Sequence, residues 1–270
     1  MLSGMDGTFF TIRIDPQGRE IFVAEDNARG PWDPAACHAG PPTAALARAS
    51  ERAVPGQRLA RLAVDLGRPV PMAGFAIDTE VVRAGRTTSA TVMTLCDLDG
   101  GVRAQARGLH VSVREVIESI RGTTFVSPSL SDSRPGPFPF AQTSHGLPGF
   151  RHANELRYPP GETPDIGPTT CWMKTVPLLP GEEMTPFQRI CPLADCGNAF
   201  GRNGDPTETS FVNADLTIAL HRDPVGDWMG MSASGIWQPS GVGLSDSVLF
   251  DELGTVGRSI QVLVLARATG

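Results

Sequence analysis

Leu62-Ala63-Val64-Asp65-Leu66-Gly67-Arg68-Pro69-Val70 and Leu216-Thr217-Ile218-Ala219-Leu220-His221-Arg222-Asp223-Pro224-Val225 read as two versions of one strand. Leu62, Val64 and Leu66 alternate with other residues as Leu216, Ile218 and Leu220 do, the period of a strand with one buried face. Each run then ends in an Arg and a Pro. Leu216 lies 154 positions after Leu62, and the same displacement lays Leu98-Asp99-Gly100-Gly101-Val102 over Glu252-Leu253-Gly254-Thr255-Val256. It also lays Gly40 to Arg48 over Ala194 to Arg202, two helix-like stretches of small and apolar residues. Three segments sharing one offset point to a duplicated unit.

Working outward, each copy has the same plan. In the first, Gly7 to Arg13 and Glu20 to Ala24 flank Asp15-Pro16-Gln17-Gly18, a hairpin signal. The loop Gly30 to Pro34 leads to a helix predicted over Pro42 to Ala53, which opens with prolines and stops before Pro55-Gly56. Strands are predicted at Leu59 to Leu66, Phe75 to Arg83, Ser89 to Cys96 and Val102 to Val113. Residues Ser127 to Pro168 hold nine prolines, and read as a crossover linker without helix or central strand. The second copy has a strand at Thr170 to Val176 and a helix at Pro186 to Phe200 that Pro192 must kink or start. Strands follow at Phe211 to His221, Trp228 to Trp237, Leu244 to Phe250 and Ser259 to Arg267. Phe211 to His221 is read as one strand, with Val212, Ala214, Leu216, Ile218 and Leu220 on its inner face. The fold class is α+β: two tandem helix-on-antiparallel-sheet units joined into one extended sheet, with units at 1–115 and 169–270 and a linker at 116–168.

Composition narrows the function. The 270 residues are 40% hydrophobic, enough for a large core. A net charge of −6 argues against nucleic acid or an anionic membrane as partner. Lys174 is the only lysine, so phosphate contacts would fall to arginine. The five cysteines, Cys37, Cys96, Cys171, Cys191 and Cys196, are scattered and complete no zinc pattern, so free thiols in a reducing compartment are expected. No basic leader and no apolar run of membrane-spanning length is visible, which makes the cytoplasm the expected location. There is no P-loop, dinucleotide fingerprint or Gly-x-Ser-x-Gly around Ser232, Ser234 or Ser240.

The order and spacing of Leu193-Ala194-Asp195, of Asn213-Ala214-Asp215-Leu216-Thr217-Ile218-Ala219-Leu220-His221-Arg222, and of Ser259-Ile260-Gln261-Val262-Leu263-Val264 resemble the acyl-CoA thioesterase II family, the TesB-like thioesterases. Leu66-Gly67-Arg68-Pro69 resembles a strand end in that family's first half. The resemblance implies a double hotdog fold and hydrolysis of an acyl-CoA thioester to a free acid and CoA. It also implies an Asp, a Thr and a Gln that bind and activate the attacking water. By position these are Asp195, Asn213 and Gln261, with Asn standing where the family has Thr.

The chemistry needs a carboxylate to take a proton and donors to hold water and oxyanion. Asp195 is the candidate base, and Asn213 and Gln261 are candidates to orient water and carbonyl. Structural roles compete: Asp195 as a helix cap, Gln261 as a solvent-facing strand residue, Asn213 as a turn residue. His38 and Gly40, at the mouth of the first helix, and Asp215, read as sharing a strand face with Asn213, are candidate substrate contacts. The matching positions in the first copy are Pro41, Leu59 and Arg107, so one site per chain is expected. No cofactor and no metal are expected; the expected partner is acyl-CoA, with homo-oligomers open. The alternative is a non-catalytic acyl or acyl-CoA binding protein of the same fold.

Overall fold

A computed structural model describes residues 7–115, 125–139 and 145–268. In chain order the strands and helices are β1 (Phe10–Ile14), β2 (Glu20–Ala24), α1 (Gly40–Ala53), β3 (Arg58–Leu66), β4 (Phe75–Arg83), β5 (Thr88–Asp97), β6 (Val102–Val111), β7 (Arg134–Pro135), β8 (Asn154–Tyr158), β9 (Thr169–Thr175), α2 (Pro186–Ala194), α3 (Gly197–Phe200), β10 (Thr209–Asn213), β11 (Asp215–Leu220), β12 (Met229–Trp237), β13 (Val242–Asp251) and β14 (Gly254–Arg267). All strand pairs are antiparallel and form one 14-stranded sheet in the order β1-β2-β4-β5-β6-β3-β11-β14-β13-β12-β9-β8-β7, with β10 also on β14.

The two repeated strands pair with each other. In the β3–β11 ladder Leu62 faces Ile218, Ala63 faces Thr217 and Val64 faces Leu216. Exchanging the copies maps this ladder onto itself, so a local two-fold passes through the Ala63–Thr217 pair. Leu62, Val64, Leu216 and Ile218 are all buried on the helix side. Burial of that common face fixes the register, because a slip by one residue would turn these side chains to solvent.

The helices pack on the inner face of the sheet. Ala44, Ala45, Leu46 and Ala47 of α1 are fully buried, and their small side chains let the helix lie close to the strands. Thr185 caps α2 by accepting from the Gln188 N–H, and Pro186 follows at the first helical position. The helix predicted over Pro186 to Phe200 divides at Asp195 and Cys196 into α2 and α3. At the crossing of α1 and α2, a Cβ on Gly40 would lie 2.9 Å from Pro192 Cα and 3.4 Å from Asp195 Cβ, so glycine is what permits this approach.

Two sequence expectations are corrected. The Pro-rich segment does carry strands: β8 lies between β9 and β7. Its Leu156 and Tyr158 are buried with the usual alternation, in a five-residue stretch free of proline. The strand expected over Phe211 to His221 is broken at Ala214. Phe211 is buried and Val212 is 55% exposed, whereas beyond the break Leu216, Ile218 and Leu220 are buried. The break therefore shifts the alternation by one residue, and Asn213 faces inward while Val212 faces out. Asp215 repairs the ladder there: its Oδ1 accepts the Val262 N–H at 2.6 Å, and Ala214 N–H bonds Val262 O.

Candidate active site

Asp195 ends α2, with its carboxylate only 3% exposed. An ionised carboxylate so placed costs several kcal/mol unless donors surround it. Asn213 Nδ2 donates to Oδ1 at 2.6 Å. Gln261 Nε2 donates to the Asp195 backbone carbonyl at 3.1 Å and reaches Oδ1 at 3.4 Å. His38 Nδ1 lies 3.0 Å from Oδ2. The three residues singled out for the water-activating centre therefore converge, and His38 joins them from the other half of the chain.

Each reaches this point for a local reason. The break at Ala214 turns Asn213 toward the helices. On β14 the usual pattern is inverted: Gln261 is 1% exposed, while Ile260 and Val262 on either side are 40% and 42% exposed. The inner face of β13 and β14 is polar at Ser245, Ser247, Ser259 and Gln261, all buried. Gly197, at the start of α3, closes over this band; a Cβ there would meet the Ser245 and Ser247 hydroxyl oxygens at 2.7 Å. Gln261 Oε1 in turn accepts the Asn198 N–H at 2.9 Å, which fixes the amide's orientation. Asn198 was not singled out by sequence; its place three residues after Asp195 was the available signal.

His38 is held at the mouth of α1. Its N–H bonds Ala28 O, and its ring stacks on Phe150 with centroids 3.9 Å apart and planes 8° from parallel. The Gly40 N–H points at Nδ1 from 3.2 Å. Gly40 is buried at the helix crossing, and Asp215 bonds the backbone of β14. Asp215 is not among the residues lining the cavity beside Asp195, and it does not share the inward face of Asn213.

That cavity has a volume of about 290 Å³. The first half supplies Trp32, His38, Leu66 and Arg68; the second supplies Asp195, Asn198, Phe211 and Asn213. Phe138, Phe150 and Arg151 come from the Pro-rich segment, which the sequence reading treated as a crossover linker. The walls are mainly apolar, with a few polar groups gathered at Asp195, a composition suited to an organic ligand held at one reactive end. Neighbouring thiols are unsuited to nucleophilic attack. Burial pushes Cys37 up to about 12 and holds Cys191 and Cys196 well above the ordinary thiol range. Among the described residues no cluster of His, Cys, Asp and Glu could hold a metal, and no helix is long and apolar enough to cross a membrane.

Comparison with known proteins agrees with this architecture. The family model for the acyl-CoA thioesterase N-terminal domain matches residues 28–114, and that for the acyl-CoA thioesterase C-terminal domain matches residues 130–265. A hotdog-fold protein of unknown function from Alicyclobacillus acidocaldarius superposes with a TM-score of 0.71 at 15% identity, over 96% of each chain. The tesB protein of Mycobacterium avium subs paratuberculosis gives 0.67 at 15% identity, over 94% of this chain and 95% of that one. Acyl-CoA thioesterase II TesB2 from Mycobacterium marinum gives 0.62 at 14% identity, over 96% of each. No curated protein matches the sequence. The duplicated helix-on-sheet plan is thus a double hotdog, and with the two domain models matching in succession the chain belongs to the acyl-CoA thioesterase family.

Proposed function

We propose that the chain hydrolyses an acyl-CoA thioester to a free acid and CoA at the Asp195 cavity. The observation that carries this reading is the convergence of Asn213 and Gln261 on Asp195, which with Asn213 lines an apolar pocket. Asp195 supplies the negative charge that draws a proton from water, and Asn213 and Gln261 hold that carboxylate in place. The aromatic walls would take the acyl chain. Arg68 is exposed, lines the cavity, and has no side-chain partner among the described residues, so it is suited to a CoA phosphate. Purified protein, a panel of short, medium and long acyl-CoAs and a thiol-trapping reagent test the reading. Thiol release well above an Asp195→Ala control is expected; no release above that control across the panel would sink it.

One observation favours a second reading, acyl-CoA binding without turnover. Asn213 Nδ2 donates to Asp195 where the family's Thr would offer a hydroxyl, and Gln261 Nε2 also donates to Asp195. Saturable binding of acyl-CoA with no thiol release would select it.

A further inference from the structure

His38 enters the sequence reading as a candidate substrate contact at the mouth of α1, and the structure brings its ring against Asp195. Nδ1 lies 3.0 Å from Asp195 Oδ2, and the Gly40 N–H points at the same nitrogen. Nδ1 and Oδ2 are close enough to share a hydrogen bond whenever one of the pair carries a proton. Oδ1 of Asp195 is already taken by Asn213 at 2.6 Å. Both Asp195 oxygens thus already have a protein partner, and the side chain is almost wholly buried. His38 keeps a ring nitrogen without one. Its side chain is 15% exposed and lines the cavity, and Nε2 bonds no protein group among the described residues. Stacking on Phe150 fixes the plane of the ring and hence the direction of Nε2.

We propose that His38 is the proton acceptor of the hydrolysis, with Nε2 taking the proton of the attacking water and Asp195 holding Nδ1–H and the charge of the imidazolium. The proposal rests on the thioesterase reading and moves the proton-accepting role in it from Asp195 to His38. The water oxygen bonds to the thioester carbonyl carbon as its proton passes to Nε2, and the carbonyl electron pair moves to oxygen. When the C=O bond re-forms, the C–S bond breaks. The Nε2 proton then goes to the departing thiolate sulfur. The products are a carboxylic acid and a thiol, and His38 is neutral again. A carboxylate that orients an imidazole and stabilises its charged form is a general device for raising its basicity.

Two variants test this. In His38→Asn the side-chain amide nitrogen falls near the place of Nδ1 and keeps a donor for Asp195, but nothing stands at Nε2. His38→Ala removes both nitrogens and leaves room beside Phe150. Both variants are expected to lose about a hundredfold or more in kcat at saturating acyl-CoA, the range for a general base. Free imidazole is expected to accelerate His38→Ala saturably, and to leave Asp195→Ala unchanged. His38→Asn within about threefold of wild-type kcat, or no response of His38→Ala to imidazole, would overturn the proposal. If the wild type releases thiol while His38→Asn does too, His38 alone is misassigned; if the wild type releases none, the thioesterase reading itself falls.

Discussion

Gly40→Ala sets two opposing effects against each other at the helix crossing beneath the site. Gly40 opens α1 and does not adopt a left-handed backbone, so alanine fits its conformation. Lower entropy of the unfolded chain would then add about 0.4–1 kcal/mol of stability. Against this, the new Cβ would lie 2.9 Å from Pro192 Cα and 3.1 Å from Pro192 O, both backbone atoms that cannot rotate away. Overpacking of this kind costs about 1–3 kcal/mol. The steric term wins by about 1 kcal/mol, which in a chain of this size lowers Tm by about 2–4 °C. The same push displaces Asp195, whose Cβ is next in line at 3.4 Å. A shift of a few tenths of an ångström there should lower kcat by about tenfold, with little change in KM. Gly67→Ala is the control: its Cβ would meet only Arg103 O, at 3.5 Å, so Tm should hold or rise. Calorimetry and steady-state thiol release check both variants. A Gly40→Ala protein with unchanged or raised Tm, and activity within about twofold, would refute the packing argument. A raised KM with intact kcat would return Gly40 to a substrate contact.

Removing the short bond to Asp195 with Asn213→Ala should cost about 1.5–3 kcal/mol, read as a ten- to hundredfold fall in kcat/KM without loss of fold. Two carboxylates should give opposite pH signatures in thermal melts. Burial raises Glu51 above its ordinary range, only partly offset by donors from Gln188 and Thr185. Its stability contribution is full below its unfolded titration and is lost as pH rises through the raised folded value, so Glu51→Gln should gain on wild type as pH rises above the ordinary carboxylate range. Asp251 is also pushed up by burial, but the Arg222 guanidinium, at 2.6 Å on both oxygens, and the Val225 and Leu253 N–H groups outweigh that and hold it below its ordinary range. Its contribution is present above its unfolded titration and lost as pH falls, so Asp251→Asn should cost about 3 kcal/mol near neutrality, with the deficit shrinking in acid.

The repeat, the sheet-facing residues of β3 and the helical stretches were legible because they follow local rules: period-2 alternation, prolines at a helix start, glycine in turns. At Asp97 to Gly101 the turn reads directly, since Gly100 takes φ +82° and Asp97 Oδ1 accepts the Asp99 and Gly101 N–H groups. The break at Ala214 carries no such signal. It is held by Asp215 reaching a backbone N–H on β14, a contact set only once the strands are paired. For the same reason Gln261 could be picked out as an amide in an apolar strand, while the direction it faces could not be told. Small serines lie on the inner face where Gly197 and α3 approach most closely, and Gln261 turns inward to bond Asn198 and Asp195. His38 beside Asp195 is harder still: the two are 157 positions apart in sequence, and only the crossing of α1 over α2 joins them.

The seam at β3 and β11 has a consequence for how such a chain can change. Two identical halves related by a two-fold would own two equivalent clefts, and any substitution would strike both. Here Pro41 occupies in the first copy the position that Asp195 holds in the second, and one cleft is lined by both copies. Covalent tethering lets each lobe differ, one bringing Asp195 with its two amides and the other His38 and much of the rim. The two lobes are mutually dependent: neither alone lines the whole cavity, so a truncation that looks like a clean excision of one copy removes part of its wall.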